Sequence, residues 1–147
     1  MPGCAKGEAS ADRPQDDGAT LGRRRGPRFL VHPRLAGGWA EQRTLRLLRS
    51  RGWQLRARNW HCRWGELDLV LEKQQRLLLV EVKGRRSGLD GWGAGALQRG
   101  QRRRLDRAWR CWLALHPADA LRPLDFVVAL VPLPPRRGAV RWIRVGF

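Results

Sequence analysis

The chain has 147 residues, 42% of them hydrophobic, which fits one domain with a single core and excludes a wholly disordered chain. Thirty Lys and Arg against 13 Asp and Glu leave a formal net charge of +17, a self-repulsion that a small domain tolerates best beside a polyanion, of which nucleic acid is the commonest. No apolar run approaches the ~20 residues that span a bilayer, and no apolar segment follows the N-terminal charges, so the expectation is a cytoplasmic protein with no membrane partner.

Residues 1–36 lack sustained periodicity and are rich in Gly, Pro, Ala and charge, the pattern of a disordered basic leader. Residues 37–147 are read as the domain. In "WAEQRTLRLLRSRG" the positions Ala40, Thr44, Leu47 and Leu48 share one helical face, Glu41 borders it, and Gly52 stops the helix. "WQLRARN" alternates Trp53, Leu55 and Ala57 as a strand does. "GELDLVLEKQQRLLLVEVKGRR" supplies two more strands, 66–72 and 77–83, joined by "KQQR". After the glycine-rich "SGLDGWGAG", the stretch "QRRRLDRAWRCWLALH" carries Leu105, Ala108, Trp109 and Trp112 as an apolar helical stripe, with arginines opposite. "LDFVVALV" reads as a buried strand, prolines break it, and "AVRWIRV" is the last strand. The order αβββαββ predicts an α/β sandwich, a central mixed β-sheet flanked by helices. The three cysteines, Cys4, Cys62 and Cys111, have no CxxC pair, which argues against a disulfide framework or a structural zinc site.

The central hairpin carries charges where Val or Thr would be ordinary. If its turn is symmetric about the Gln74–Gln75 bond, Asp68 faces Glu81, Glu66 faces Lys83 and Val70 faces Leu79. Leu67, Leu69 and Leu71 then meet Val82, Val80 and Leu78 on a wholly aliphatic opposite face. Directly opposed carboxylates have Cβ atoms about 4.5–5.5 Å apart and repel. One takes up a proton, or a cation sits between them. A divalent ion such as Mg²⁺ suits hard oxygen ligands and keeps waters for a substrate to displace. With Lys83 near an attacking water, that is the chemistry of phosphodiester hydrolysis. The other reading of the same residues is a surface salt-bridge cluster with Glu66 paired to Lys83.

Asp68, followed thirteen positions later by Glu81 and then Val82 and Lys83, resembles the PD-(D/E)xK nuclease signature, with Leu67 in place of the usual proline. More closely, "ARNWHCRWGELDLV" and "LLLVEVKGRR" resemble the YraN family, uncharacterised protein family 102, from about Gly37 to Phe147. The resemblance implies a restriction-endonuclease-like fold, also seen in archaeal Holliday-junction resolvases. It implies Asp68, Glu81 and Glu41 as metal ligands for Mg²⁺ or Mn²⁺, Lys83 as the catalytic lysine and Glu66 as a residue supporting the ligands. Arg58, Asn59 and Arg85 match family positions and are assigned to nucleic-acid binding. Asp125 is read as structural. Gln101 stands where the family's lysine is usual, flanked by Arg99 and Arg102.

Eight tryptophans accompany the arginines. Trp53, Trp109 and Trp112 fall on core stripes, whereas Trp60, Trp64 and Trp92 are placed in loops beside the acidic site, as candidates for base contact. Arg99, Arg102, Arg103 and Arg107, with Arg104 and Arg110, line the second helix as a phosphate-binding face. The functional expectation is a metal-dependent endonuclease acting on nucleic acid, DNA and branched DNA first. Its rival is a non-catalytic nucleic-acid-binding protein that keeps the fold. Resolvases of this kind act as dimers, so a homodimer is compatible, although no segment identifies an interface.

Overall fold

The first helix, α1 (Pro33–Arg49), begins at a proline, whose fixed φ suits the first turn of a helix. It thus starts inside the segment assigned above to the leader. A computed structural model describes residues 33–86 and 97–146, which belong to one unit, Val31–Phe147. The leader up to residue 32 and most of the glycine-rich loop, including Trp92, lie outside the described residues. Ala40, Thr44, Leu45 and Leu48 are the buried face of α1. Gly52 ends the helix at φ +82. Trp53 N–H donates to Leu48 O at 3.1 Å and Gly52 N–H to Arg49 O at 3.0 Å, the paired bonds of a glycine-terminated helix.

The strands follow as β1 (Gln54–Cys62), β2 (Gly65–Lys73) and β3 (Arg76–Arg85), then α2 (Arg99–Leu115), a short 3₁₀ turn (Pro117–Asp119), β4 (Leu124–Pro132) and β5 (Arg141–Val145). They form one five-stranded sheet in the order β1-β2-β3-β4-β5. Only β3 and β4 are parallel, because α2 carries the chain back across the sheet between them; the other pairs are antiparallel. The expected αβββαββ order and mixed sheet are both present.

Each helix covers one face. Against α1 pack Leu69, Leu71, Leu78, Val80, Ala129, Val131 and Leu133. Against α2, through Leu105, Ala108, Trp109 and Trp112, pack Leu67, Val70, Leu77, Leu79 and Phe126. Burial on both faces explains why β2–β4 read as apolar runs rather than alternating strands.

The hairpin register is the symmetric one: Lys73 pairs with Arg76, Leu71 with Leu78 and Leu69 with Val80. Gln74 and Gln75 take φ of 48° and 64°, the left-handed pair of a two-residue type I′ turn. Two details of the expectation are corrected. The ladder ends at Leu69–Val80, so Asp68 and Glu81 do not form a ladder pair. Leu67 belongs to the α2-side core, not to the α1 side with Leu69 and Leu71. The β1–β2 ladder likewise pairs Arg58 with Leu69 and Trp60 with Leu67 but skips Asn59 and Asp68, and Asn59 has φ 48°. Both neighbours of β2 therefore lose regular pairing at Asp68, and the side-chain alternation reverses there.

Candidate metal-binding and nucleic-acid site

Asp68 occupies the point where β2 parts from β3. Its Oδ2 accepts the Val82 N–H at 2.7 Å, a bond that Leu67 O would receive in an unbroken ladder. The side chain is 7% exposed. Burial, and next the charge of Glu81, push its carboxyl from the ordinary 3.8 up to about 7; the Val82 N–H lowers it, while Glu41 and Glu66 raise it further. A buried acid with that shift, among other acids, marks a candidate functional site.

Glu81 is also 7% exposed. Its Oε1 accepts Lys83 Nζ at 2.7 Å and Gln101 Nε2 at 2.6 Å. Gln101, at the position where a lysine was expected, thus reaches the acidic residue directly from α2. Glu41 comes from α1, and its Oε2 receives Arg58 Nε at 3.1 Å and Asn59 Nδ2 at 3.0 Å. Arg58 and Asn59 were assigned to nucleic-acid contact, but their side chains are turned onto Glu41. Glu66 pairs with His61 Nε2 at 2.7 Å at the surface, not with Lys83.

Glu81 and Lys83 open into a cleft of about 600 Å³, walled by His61, Arg63, Trp64 and Glu66 from the β1–β2 turn and by Gln101, Arg104 and Leu105 from α2. Asp68 and Glu41 do not line it. Among the described residues, no three His, Cys, Asp or Glu side chains are gathered into a ready-made metal cage. The cleft adds His61 and Arg63 to the sequence-derived site and brings Arg104, expected on the phosphate-binding helix face, up to Glu81 and Lys83. No residue spacing signals that the β1–β2 turn closes over β3.

The remaining assignments divide. Arg99, Arg102 and Arg103, with Asp106, line a separate hollow of about 300 Å³ at the start of α2, and Arg102 also donates to Gly146 O. Arg107 lies over the Trp64 ring at 4.9 Å and Arg63 at 4.5 Å. Trp64, 37% exposed, stands at the cleft as expected. Trp60 does not, because it is in β1 with its ring edge-on to Trp112 at 5.5 Å, inside the α2-side core. Arg85 lies at the end of β3, away from this cleft. Asp125 pairs with Arg76 at 2.7 Å and Arg144 at 3.8 Å, in keeping with a structural role. The sequence reading missed Asp119, which is 3% exposed and binds Arg122 at 2.9 Å and Arg56 at 3.3 Å.

The sequence model of Uncharacterised protein family UPF0102 matches residues 40–131, more than half of the chain. The chain belongs to this family. The UPF0102 match spans Glu41, Glu66, Asp68, Glu81 and Lys83. A UPF0102 protein of Prochlorococcus marinus (strain MIT 9303) is 63% identical over 110 residues, 74% of this chain and 87% of the relative. One from Herpetosiphon aurantiacus is 37% identical over 103 residues, 69% of this chain and 83% of the relative. One from Alcanivorax borkumensis is 34% identical over 109 residues, 74% and 87% of the two chains. No helix among the described residues is long and apolar enough to cross a membrane.

Proposed function

We propose that this UPF0102 protein binds nucleic acid, DNA first, and hydrolyses phosphodiester bonds with the help of Mg²⁺ or Mn²⁺. The observation that carries the reading is Asp68, a buried carboxylate opposed by the charges of Glu81, Glu41 and Glu66 and left with a pKa near 7. A divalent cation would relieve that repulsion, and the donor chemistry fits one. Asp68 and Glu81 offer hard oxygen ligands, Glu41 adds a third through water or by leaving Arg58, and Glu81, the one of the three that borders the cleft, opens the ion to the waters that Mg²⁺ retains. Once bound, such an ion supplies charge stabilisation at a phosphate oxygen. Lys83, held by Glu81 at the cleft wall, is placed to hydrogen-bond a water or a phosphate oxygen there. Arg63 and Arg104 would hold neighbouring phosphates, in keeping with the +17 charge.

One observation favours the rival, a nucleic-acid-binding protein that does not cleave. Glu41 and Glu81 already have protein cations as partners, Arg58 and Lys83, and no complete cage is formed. The test is incubation of the protein with labelled duplex, single-stranded, flap and four-way-junction DNA in Mg²⁺, Mn²⁺ or EDTA, with Glu81→Ala protein in parallel. Metal-dependent cleavage that disappears in the variant is the expected result. Salt-sensitive binding, equal in both proteins and without cleavage, establishes the rival instead. Thermal unfolding in Mg²⁺ gives a second readout, a rise in midpoint for the wild type that Glu81→Gln abolishes.

A further inference from the structure

Four arginines converge on a second hollow at the ends of β3 and β4. Arg85, Arg136, Arg137 and Arg141, with Pro132 and Gly138, line a cavity of about 290 Å³ that no carboxylate among the described residues borders. No ion pair among the described residues reaches Arg85, Arg136 or Arg137. Cations crowded around one hollow repel, and an anion bound among them removes that cost.

The backbone of the hollow is tied into the fold, and it carries Arg136, Arg137 and Arg141 as exposed side chains beside the half-buried Arg85. The β4–β5 connection "LPPRRG" stiffens its backbone with prolines just before the two arginines. Leu133 N–H donates to Arg85 O at 2.9 Å and Arg136 N–H to Leu133 O at 3.0 Å. From α1, the Arg43 guanidinium donates to Pro132 O at 3.5 Å and to Gly138 O, tying both ends of the loop together. Gly84 adds a constraint, since a Cβ there would meet Leu133 at 2.9 Å, so the loop can lie this close to β3 only over a glycine.

The hollow also has a fixed place relative to the acidic cleft. Gly84 faces Leu133 in the α1-side core, so Lys83 and Arg85 on either side of it project from the opposite face, as alternate strand residues do. Lys83 pairs with Leu130, and Leu130 with Arg141, which puts Lys83 and Arg141 in one row across the sheet. Two strand spacings separate them, about 10 Å.

We propose that this hollow is a phosphate-binding site, which takes a backbone phosphate of a nucleic acid whose neighbouring phosphodiester lies at Lys83. The phosphate chemistry stands apart from cleavage, and its assignment to nucleic acid rests on the proposed function. The test uses the full chain carrying Arg136→Gln and Arg137→Gln, both exposed loop positions. A control carries Arg46→Gln and Arg49→Gln, exposed on α1 and equal in charge change. Affinity for a short oligothymidylate is measured against salt concentration in EDTA, and thermal midpoints are measured with and without inorganic phosphate. For a single strand, loss of the one phosphate held at this hollow lowers the slope of log Kobs against log salt by about 0.7. That decrease is expected in the loop variant and not in the control, together with loss of the rise in midpoint that phosphate gives the wild type. If phosphate stabilises the wild type alone while no oligonucleotide binds, the site holds for free phosphate and the nucleic-acid assignment falls. Equal slopes in the two variants, or a loop variant that still responds to phosphate like the wild type, overturn the proposal. So does a wild type that responds to neither probe.

Discussion

Replacing Asp68 by Asn examines the acidic site without any reaction. The carboxyl titrates at about 7 in the fold against an ordinary 3.8. Between those values the folded chain holds a proton that the unfolded chain has released, so this group's contribution to stability falls as pH rises through the window and is gone above 7. The gap of about three pH units corresponds to about 4 kcal/mol, at ~1.4 kcal/mol each. Asn carries no charge and keeps an oxygen for the Val82 N–H, so it reproduces the protonated acid. In EDTA and at about pH 8, Asp68→Asn protein is expected to be more stable than wild type by about 2–4 kcal/mol, with the difference shrinking as pH falls below about 7 and closing only near about pH 4. Urea unfolding of both proteins across that range measures it. Added Mg²⁺ should narrow the gap by stabilising the wild type alone. A variant that is less stable at the higher pH, or a difference that does not change with pH, refutes the electrostatic account of Asp68.

Three further perturbations reach other parts of the molecule. Gln74→Asn with Gln75→Gly places favoured residues at the two left-handed turn positions and should raise stability by about 1 kcal/mol in urea unfolding; no gain would mean that the glutamines are not strained there. Asp119→Ala removes one of the two carboxylates that Arg122 and Arg56 share, Glu72 remaining, and takes the acceptor from the buried Trp112 Nε1–H, which together should cost about 1–3 kcal/mol in urea unfolding. A loss below about 1 kcal/mol would show the network to be dispensable. Trp64→Ala leaves the core intact and should weaken single-stranded DNA binding by about 1–3 kcal/mol, read by fluorescence anisotropy. Unchanged affinity would remove Trp64 from the nucleic-acid surface.

The elements were legible because each carried its own periodicity: a 3.6-residue stripe at Leu105, Ala108, Trp109 and Trp112, and unbroken aliphatic runs in the strands. The hairpin register followed from the two-residue turn at Gln74 and Gln75, which fixes pairing locally. What could not be read was the interruption at Asp68. A periodic pattern extrapolates the ladder past Leu69–Val80, and nothing in the residue types says that β2 reverses its alternation there. Leu67 was misplaced for that reason, as it lies just beyond the break, whereas Trp60 was placed in a loop because the first strand, read to Asn59, continues to Cys62. The roles of Arg58 and Asn59 escaped for a different reason. They depend on how α1 lies against β1, a tertiary contact between segments whose own patterns are complete without it. Asp119 sits in a polar connection and looks like any loop acid until Arg122 and Arg56 close around it.

The break itself gives Asp68 a second role, in the backbone. In a hairpin closed at Lys73–Arg76, doubly bonded pairs recur at Leu71–Leu78 and Leu69–Val80, and Leu67–Val82 would be the next. Leu67 instead turns into the α2-side core, fully buried, which contributes about 2 kcal/mol. Val82 N–H is thereby orphaned, and the Asp68 carboxylate is its acceptor. The same side chain therefore completes the backbone and carries the unfavourable charge. Asn separates these two duties by keeping the acceptor and discarding the charge. Ala discards both, leaving a part-buried N–H without its partner, a penalty of about 1–3 kcal/mol. At about pH 8 the order of stability should be Asn above Ala by that amount, although both substitutions remove the same negative charge. If Ala matches Asn in urea unfolding, the Val82 bond contributes nothing and the strand parts without the acid's help.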